Sequence, residues 1–208
     1  MIEGAVSAFM PRYGKPERPA VGSAMRASAM RVIGLAGWSG AGKTTLLCKT
    51  IPLLAARGLR VSTVKQAHHG FEVDTPGKDS WLHRQAGAAE VMVSSPLRWA
   101  LMGELRGAAA PSLPELLGRL APVDIVIVEG FKGEAHPRIE VYRAANGKPP
   151  LHPDDPGIVA IASDVPWPEF GRPVVSLADS GAVAELMELK ALAPGLIAWR
   201  HVRHDIRS

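Results

Sequence analysis

Cysteine is nearly absent from this sequence: Cys48 is the only one among its 208 residues. A single cysteine excludes an internal disulfide, so a hydrophobic core must hold the fold together, and we expect a reducing compartment. Cys48 lies in a helical pattern, where a small core residue is the expectation. Zinc and nickel sites need several cysteine or histidine ligands at close spacing, and Cys48 has no such neighbour.

Long apolar runs are absent as well. No run approaches the ~20 residues that a membrane-spanning helix needs, and residues 1–30 lack the apolar segment of a signal peptide. We therefore expect a cytoplasmic protein that has no membrane partner. With 47% hydrophobic residues, the chain can still bury a sizeable core.

The body of the chain, residues 31–196, has no net excess of positive or negative charge. The formal net charge is +4, but residues 1–30 and 197–208 hold the whole excess of lysine and arginine. A neutral body argues against nucleic acid as a partner. We interpret residues 1–30, which show no periodicity, as a disordered leader. Residues 31–196 are predicted to form a single domain, and residues 197–208 a basic C-terminal tail.

One motif carries specific chemistry: Gly37–Thr44 fits the phosphate-loop pattern G-x-x-x-x-G-K-[ST]. An apolar, strand-like run precedes it and a helical pattern follows, which is the context that phosphate binding needs. The glycines let backbone N–H groups approach phosphate oxygens, and the helix N-terminus adds unpaired donors. Lys43 would reach the β- and γ-phosphates, and Thr44 would ligate Mg²⁺. The predicted phosphate-binding residues are Ser39, Gly40, Ala41, Gly42, Lys43, Thr44 and Thr45.

Alternating strand and helix patterns predict an α/β fold. The strand-like runs cover residues 31–36, 59–65, 123–132, 138–143, 157–162 and 173–177. Two shorter runs, 90–95 and 98–102, are separated by a proline-containing turn and favour an antiparallel hairpin. We predict a P-loop NTPase-like three-layer α/β/α sandwich whose sheet is mostly parallel.

Polar residues follow several predicted strands, and the carboxyl ends of parallel strands are where α/β sheets bind ligands. Glu129 ends the most strand-like run and is predicted to hold Mg²⁺ with Thr44. Asp74 and Asp79, in the polar segment after the second strand, compete for the same role. The candidate catalytic residues are Lys43, Glu129 and Asp79.

Asp164 ends another buried strand. Its carboxylate can accept hydrogen bonds from N1–H and the 2-amino group of guanine, and the alternative is a turn-forming aspartate before Val165-Pro166. The adjacent His68 and His69 are expected to face solvent or phosphate.

Several segments closely resemble one protein family. They are GWSGAGKTTLL at 37–47, VDTPGKDS at 73–80, RWALM at 98–102, VEGFK at 128–132 and ASDVP at 162–166. In the same order, they are similar to segments of MobB, the molybdopterin-guanine dinucleotide biosynthesis adapter proteins. The phosphate loop alone is generic, whereas the PGKDS, RWALM and VEGFK elements are much more specific.

The resemblance implies a GTP-binding, homodimeric, cytoplasmic protein of the SIMIBI class with weak Mg²⁺-dependent GTP hydrolysis. It implies partnership with the guanylyltransferase that joins GMP to molybdopterin, and contact with molybdopterin or its guanine dinucleotide. It assigns phosphate to Gly40–Thr45, Mg²⁺ to Thr44 and Glu129, and the base to Asp164. Arg84 or Arg138 is a candidate to act in trans across the dimer.

Three other functions use the same phosphate loop. A small-molecule kinase would need an acceptor pocket beside His68, His69 and Lys78. A nickel-metallochaperone GTPase would need a cysteine-containing metal motif after the second strand, which this sequence lacks. A scaffold would use nucleotide only to set its shape.

Overall fold

The computed structural model of the protein describes residues 30–67 and 70–199. The predicted leader up to residue 29, the pair His68 and His69, and residues 200–208 of the predicted tail lie outside the described residues. Within the described ranges, no helix is both long enough and apolar enough to cross a membrane.

Strands and helices alternate along the described chain, as the sequence patterns predict. The strands are β1 Arg31–Ala36, β2 Val61–Lys65, β3 Glu90–Ser94, β4 Trp99–Gly103, β5 Ile125–Glu129, β6 Arg138–Tyr142, β7 Ile158–Ser163 and β8 Val174–Ser176. The α-helices are α1 Lys43–Ala56, α2 Asp79–Gln85, α3 Leu113–Gly118 and α4 Ser180–Lys190.

Six strands form one sheet in the order β2-β5-β1-β6-β7-β8, and every neighbouring pair is parallel. Strands β3 and β4 form a separate antiparallel hairpin, in which Ser94 pairs with Trp99. The parallel sheet and the hairpin are therefore both confirmed.

Hydrophobic clusters cover both faces of the large sheet, which confirms the three-layer sandwich. On one face, α1 and α4 pack over alternate strand residues such as Ile33, Ile127 and Val141. On the other face, α3 and Phe131 pack over the intervening residues, such as Val126. Strands buried on both faces need near-continuous apolar sequences, which explains the composition of β1 and β5.

Packing continues beyond the predicted end of the domain. Ile197 is buried in the second cluster, and Trp199 packs beside it while its indole N–H donates to the carbonyl oxygen of Pro194 at 3.0 Å. These two residues fall within the predicted tail, so the packed domain extends at least to Trp199.

Helices α1 and α2 place two of the residues discussed above, and one prediction needs correction. Helix α2 begins at Asp79 itself, with Lys78 at the N-cap position. An acidic residue in the first helical turn still interacts favourably with the helix dipole. Cys48 is exposed on α1 rather than part of the core.

Candidate functional site

The phosphate loop, residues 37–44, connects β1 to α1 and curls through left-handed backbone conformations. Gly40 and Gly42 have φ values of 82° and 97°, which side chains with a Cβ rarely adopt. At Gly37, with φ 142°, an added Cβ would lie 2.6 Å from the carbonyl oxygen of Val141. Glycine is therefore required here both by the left-handed backbone of the loop and by its close approach to β6.

Lys43, the first residue of α1, folds back over the loop. Its ammonium group donates to the carbonyl oxygens of Gly37 at 2.7 Å and Trp38 at 3.0 Å. Burial lowers the pKa of Lys43; nearby Glu129 opposes this effect, whereas Lys132 and Lys65 add to it. The ammonium group therefore lies among other charged groups at the mouth of the loop.

A loop after β6 supports the phosphate loop. The amide of Asn146 donates to the carbonyl oxygen of Ser39 at 2.9 Å, and the indole N–H of Trp38 donates to that of Pro149 at 2.8 Å. The guanidinium of Arg143 lies close to Gly42: a Cβ added to Gly42 would be 3.4 Å from Arg143 Nη2. These supporting residues are not predictable from the sequence, because loop residues distant in sequence carry no periodic signal.

Glu129 lies at the end of β5 with its side chain 12% exposed, and Lys65 approaches it at 3.9 Å. The turn that follows is fixed by Gln66, whose side-chain oxygen accepts the Phe131 N–H at 2.7 Å. Gly130 has φ 90°, and a Cβ there would lie 2.7 Å from the Gln66 Cβ. This crowded turn determines where the Glu129 carboxylate lies.

One cavity of about 790 Å³ contains most of the predicted site. Its lining includes the phosphate loop, Lys43, Thr44, Lys65 and Glu129. The Thr44 hydroxyl and the Glu129 carboxylate are the hard oxygen donors that Mg²⁺ prefers, so the donor chemistry fits the predicted metal site.

Asp164 lines a neighbouring cavity of about 490 Å³, together with residues of the β7 and β8 ends. Its Oδ1 accepts the Ala144 N–H at 2.9 Å, from the loop that also supports the phosphate loop through Asn146. The structure therefore does not place Asp164 in the cavity that Lys43, Thr44 and Glu129 line. It places Asp164 beside a second cavity and connects the two through residues 144–149.

A buried polar cluster lies beneath the first cavity. Arg138 lines the cavity, and its terminal nitrogens donate to the Glu134 carbonyl oxygen at 2.7 Å and to Asp155 at 2.6 Å. His136 is fully buried, and burial lowers its pKa to about 4, with Arg138 adding to the effect. Both His136 ring nitrogens and Arg138 Nε lack a hydrogen-bond partner among the described residues.

The segment that follows Asn146 is held by another buried carboxylate. Glu140 accepts the N–H groups of Leu151 and His152 at 2.6 and 3.0 Å. The His152 ring then meets Trp167 edge-on, with ring centroids 4.9 Å apart. Leu151, next to His152, lines the first cavity and Trp167 lines the second, so this segment runs between the two.

The two competing aspartates of the polar segment have different environments. Asp74 accepts two hydrogen bonds from Arg84, at 2.8 and 2.9 Å, and these lower its pKa. Arg84 also pairs with Glu72 and Glu104. Asp79 starts α2 and does not line the phosphate-loop cavity. Asp74 is thus a structural ion-pair residue, and the structure does not bring Asp79 to Lys43.

Both arginines considered for a role in trans are already engaged. Arg84 is surrounded by three carboxylates, and the side chain of Arg138 is only 6% exposed and paired with Asp155. Within the described residues, no group of three or more His, Cys, Asp or Glu side chains is placed to hold a metal ion. His68 and His69 are not among those residues.

Comparison with known proteins gives one consistent result. The family model of MobB, described as molybdopterin guanine dinucleotide synthesis protein B, matches residues 32–164. Molybdopterin-guanine dinucleotide biosynthesis adapter proteins of Escherichia coli (strain K12) and Haemophilus influenzae are each 39% identical to this chain. The first alignment covers 81% of this chain and 92% of the relative; the second covers 85% and 93%.

A solved structure shares the fold. The crystal structure of molybdopterin-guanine biosynthesis protein B superposes with a TM-score of 0.61 at 28% identity. The superposition covers 74% of this chain and 96% of that protein.

Proposed function

The chain belongs to the MobB family, and from this premise we propose that it is a GTP-binding adapter for the guanylyltransferase that forms molybdopterin guanine dinucleotide. The observation that carries the nucleotide assignment is the phosphate loop itself. Its glycines adopt the required left-handed conformations, Lys43 starts the helix, and Thr44 and Glu129 line the same cavity.

We assign the phosphates to the backbone N–H groups of the loop and to Lys43. On binding, the Lys43 ammonium would exchange its two carbonyl partners for phosphate oxygens. Thr44 and Glu129 would hold Mg²⁺, which neutralises charge on the phosphate oxygens.

The guanine assignment rests on Asp164. One of its oxygens already accepts the Ala144 N–H, which fixes the carboxylate, and the other has no protein partner among the described residues. A carboxylate oriented in this way can accept from the N1–H and the 2-amino group of guanine, which adenine does not offer in the same pattern. This is the basis for a preference for GTP over ATP.

Hydrolysis of GTP is proposed to be weak and Mg²⁺-dependent. Arg138, which lines the loop cavity, is paired with Asp155 and so is not available to stabilise the transferring phosphoryl group. Arg143 approaches Gly42 but is not among the residues that line the cavity. Fast GTPases gain about 10³–10⁵ in rate from such an arginine. Replacing Glu129 by Gln while binding is retained tests whether hydrolysis matters to cofactor synthesis.

A homodimer is the proposed assembly, and the hairpin β3–β4 provides the apolar surface that supports it. Leu97 is 95% exposed, Trp99 66% and Met92 64%. Surfaces of this kind are typical of protein–protein interfaces. Sedimentation equilibrium of Trp99→Ser beside wild type tests the assignment: an unchanged dimer would place the interface elsewhere, and a wild-type monomer would remove it.

Calorimetric titration of GTP and ATP with Mg²⁺ tests the main proposal. Lys43→Ala should abolish nucleotide binding, whereas Lys49→Ala, on the exposed side of α1, should not. Asp164→Asn should shift the preference from GTP to XTP, because xanthine carries a carbonyl where guanine carries its amino group. Preference for ATP in wild type would refute the Asp164 assignment, and binding that survives Lys43→Ala would refute the loop assignment.

A further inference from the structure

Trp38, in the phosphate loop, carries an unusual set of neighbours. Its indole ring is 37% exposed, and the hydrogen bond to Pro149 fixes the ring orientation. Two ammonium groups lie close to the same ring: Lys132 Nζ is 5.8 Å from the ring centroid and Lys148 Nζ is 5.9 Å. Both lysines are exposed and come from different segments of the chain.

This cluster of positive charge extends towards Lys43. The Lys132 ammonium is near enough to Lys43 to contribute to the lowering of its pKa. Cation–π contacts with the ring do not remove the repulsion between the Lys132 and Lys43 ammonium groups. An anion beside Trp38 would offset that repulsion further, so the charge pattern favours an anionic ligand at this position.

Trp38 lines the same cavity as Lys43. This lysine is the group that reaches the β- and γ-phosphates of a bound nucleotide. The base is attached through the ribose at the opposite, α-phosphate end. Trp38 therefore shares a cavity with the residues proposed to hold the terminal phosphate, whereas Asp164, the proposed guanine contact, lines the second cavity.

The wall of the cavity adds an acceptor. Asp154 is exposed, lines the same cavity as Trp38 and Lys132, and has no side-chain hydrogen bond or ion pair within the described residues. A carboxylate accepts two hydrogen bonds from a ring that presents N3–H and a 2-amino group. The aromatic surface, the two cations and the carboxylate together match a planar 2-amino-4-oxo heterocycle that carries a phosphate.

We propose that Trp38, Lys132, Lys148 and Asp154 form a second ligand subsite, which takes a phosphorylated pterin beside the terminal phosphate of the nucleotide. The proposal rests on the proposed function, because molybdopterin supplies both the pterin ring and the phosphate. On binding, Lys132 and Lys148 would leave the indole ring to hold the phosphate, and Trp38 would then stack on the pterin ring. Asp154 would accept from the N–H groups of the pterin. Such a subsite would place the two precursors of the dinucleotide on one protein surface.

The test is a calorimetric titration of neopterin monophosphate into the full chain loaded with Mg²⁺ and a non-hydrolysable GTP analogue. Neopterin without phosphate and inorganic phosphate are titrated separately, to resolve the contributions of ring and phosphate. We expect Lys132→Ala combined with Lys148→Ala to weaken neopterin monophosphate about tenfold, as two lost charge contacts would. Asp154→Asn should also weaken it, and Lys49→Ala should leave it unchanged.

Three results would overturn the subsite: no binding of neopterin monophosphate to wild type, affinity that the double lysine variant does not change, or mutually exclusive binding with the GTP analogue. The last would place the pterin ring in the guanine site. Nucleotide is titrated into every variant, so that a damaged phosphate loop is recognised directly. If the double lysine variant no longer binds nucleotide, the affinity of Asp154→Asn for neopterin monophosphate tests the subsite instead. If wild type fails to bind GTP, the proposed function fails, while titration of neopterin monophosphate without nucleotide still tests the subsite.

Discussion

The side-chain amide of Asn146 donates to the carbonyl oxygen of Ser39 at 2.9 Å, which fastens the loop after β6 to the phosphate loop. The same loop donates the Ala144 N–H to Asp164, so one short segment contacts both the phosphate loop and the carboxylate proposed to read the base. Changes in this segment should therefore affect nucleotide binding without touching a phosphate.

Asn146→Ala should weaken GTP binding by about threefold to tenfold, because a hydrogen bond of about 0.5–1.5 kcal/mol then no longer orders the loop. Titration calorimetry measures the effect, and Gln85→Ala, an exposed amide at the end of α2, is the matched control. Equal affinities of the two variants would show that the phosphate loop keeps its conformation without Asn146.

Gly130→Ala should destabilise the fold by roughly 2–4 kcal/mol, since the left-handed backbone and the contact with Gln66 Cβ both oppose a side chain. Gly58→Ala is the control, because Gly58 has φ 81° and open space around its Cβ position, so only the backbone cost of about 1–2 kcal/mol remains. Urea unfolding of both variants gives the comparison. Similar losses would mean that the turn after Glu129 can relax away from Gln66.

The free energy of unfolding should decrease as the pH is lowered from the ordinary histidine pKa of about 6.5 to the lowered His136 pKa of about 4. Over this range the unfolded chain takes up a proton that the buried ring does not, which costs up to about 1.4 kcal/mol per pH unit. His136→Leu should flatten the curve of unfolding free energy against pH. His83→Ala, on the exposed side of α2, controls for removal of one histidine, and parallel curves for wild type and His136→Leu would contradict the assignment.

Arg84→Gln should loosen the segment that contains Glu72 and Asp74, because both carboxylates lose their shared partner. Amide hydrogen exchange in residues 71–76 should become faster, and Arg98→Gln, at an exposed position before β4, should leave it unchanged. Arg84 lowers the Asp74 pKa, so its contribution is present above the ordinary aspartate pKa and is lost as pH falls through the lowered value. A difference between the variants that persists in strong acid would argue against the ion pair as the cause.

Much of the fold follows from local sequence patterns. The apolar runs of β1 and β5, the glycines of the phosphate loop and the proline turn between β3 and β4 each determine structure from a few adjacent residues. These features were predictable because propensity and periodicity act over short distances.

The rest of the site depends on contacts between distant loops. Asn146 is 107 positions from Ser39, and Pro149 is 111 positions from Trp38, so no local pattern reveals either contact. Asp74 and Asp79 could not be distinguished from the sequence, since both lie in one polar segment and only Arg84 separates their roles. His136 was missed because an isolated histidine in a polar stretch shows no sign of complete burial.

The strand order of the large sheet has a consequence for synthesis of the protein. Strand β1 pairs with β5 and β6, and β2 pairs with β5, so neither early strand has a sheet partner before β5 is made. At about 5–20 residues per second, roughly 90 residues must be translated between β1 and β5, which takes several seconds. During that interval the apolar strand Arg31–Ala36 emerges unpaired, and we expect ribosome-associated chaperones to engage the nascent chain there until Ile125–Glu129 leaves the exit tunnel.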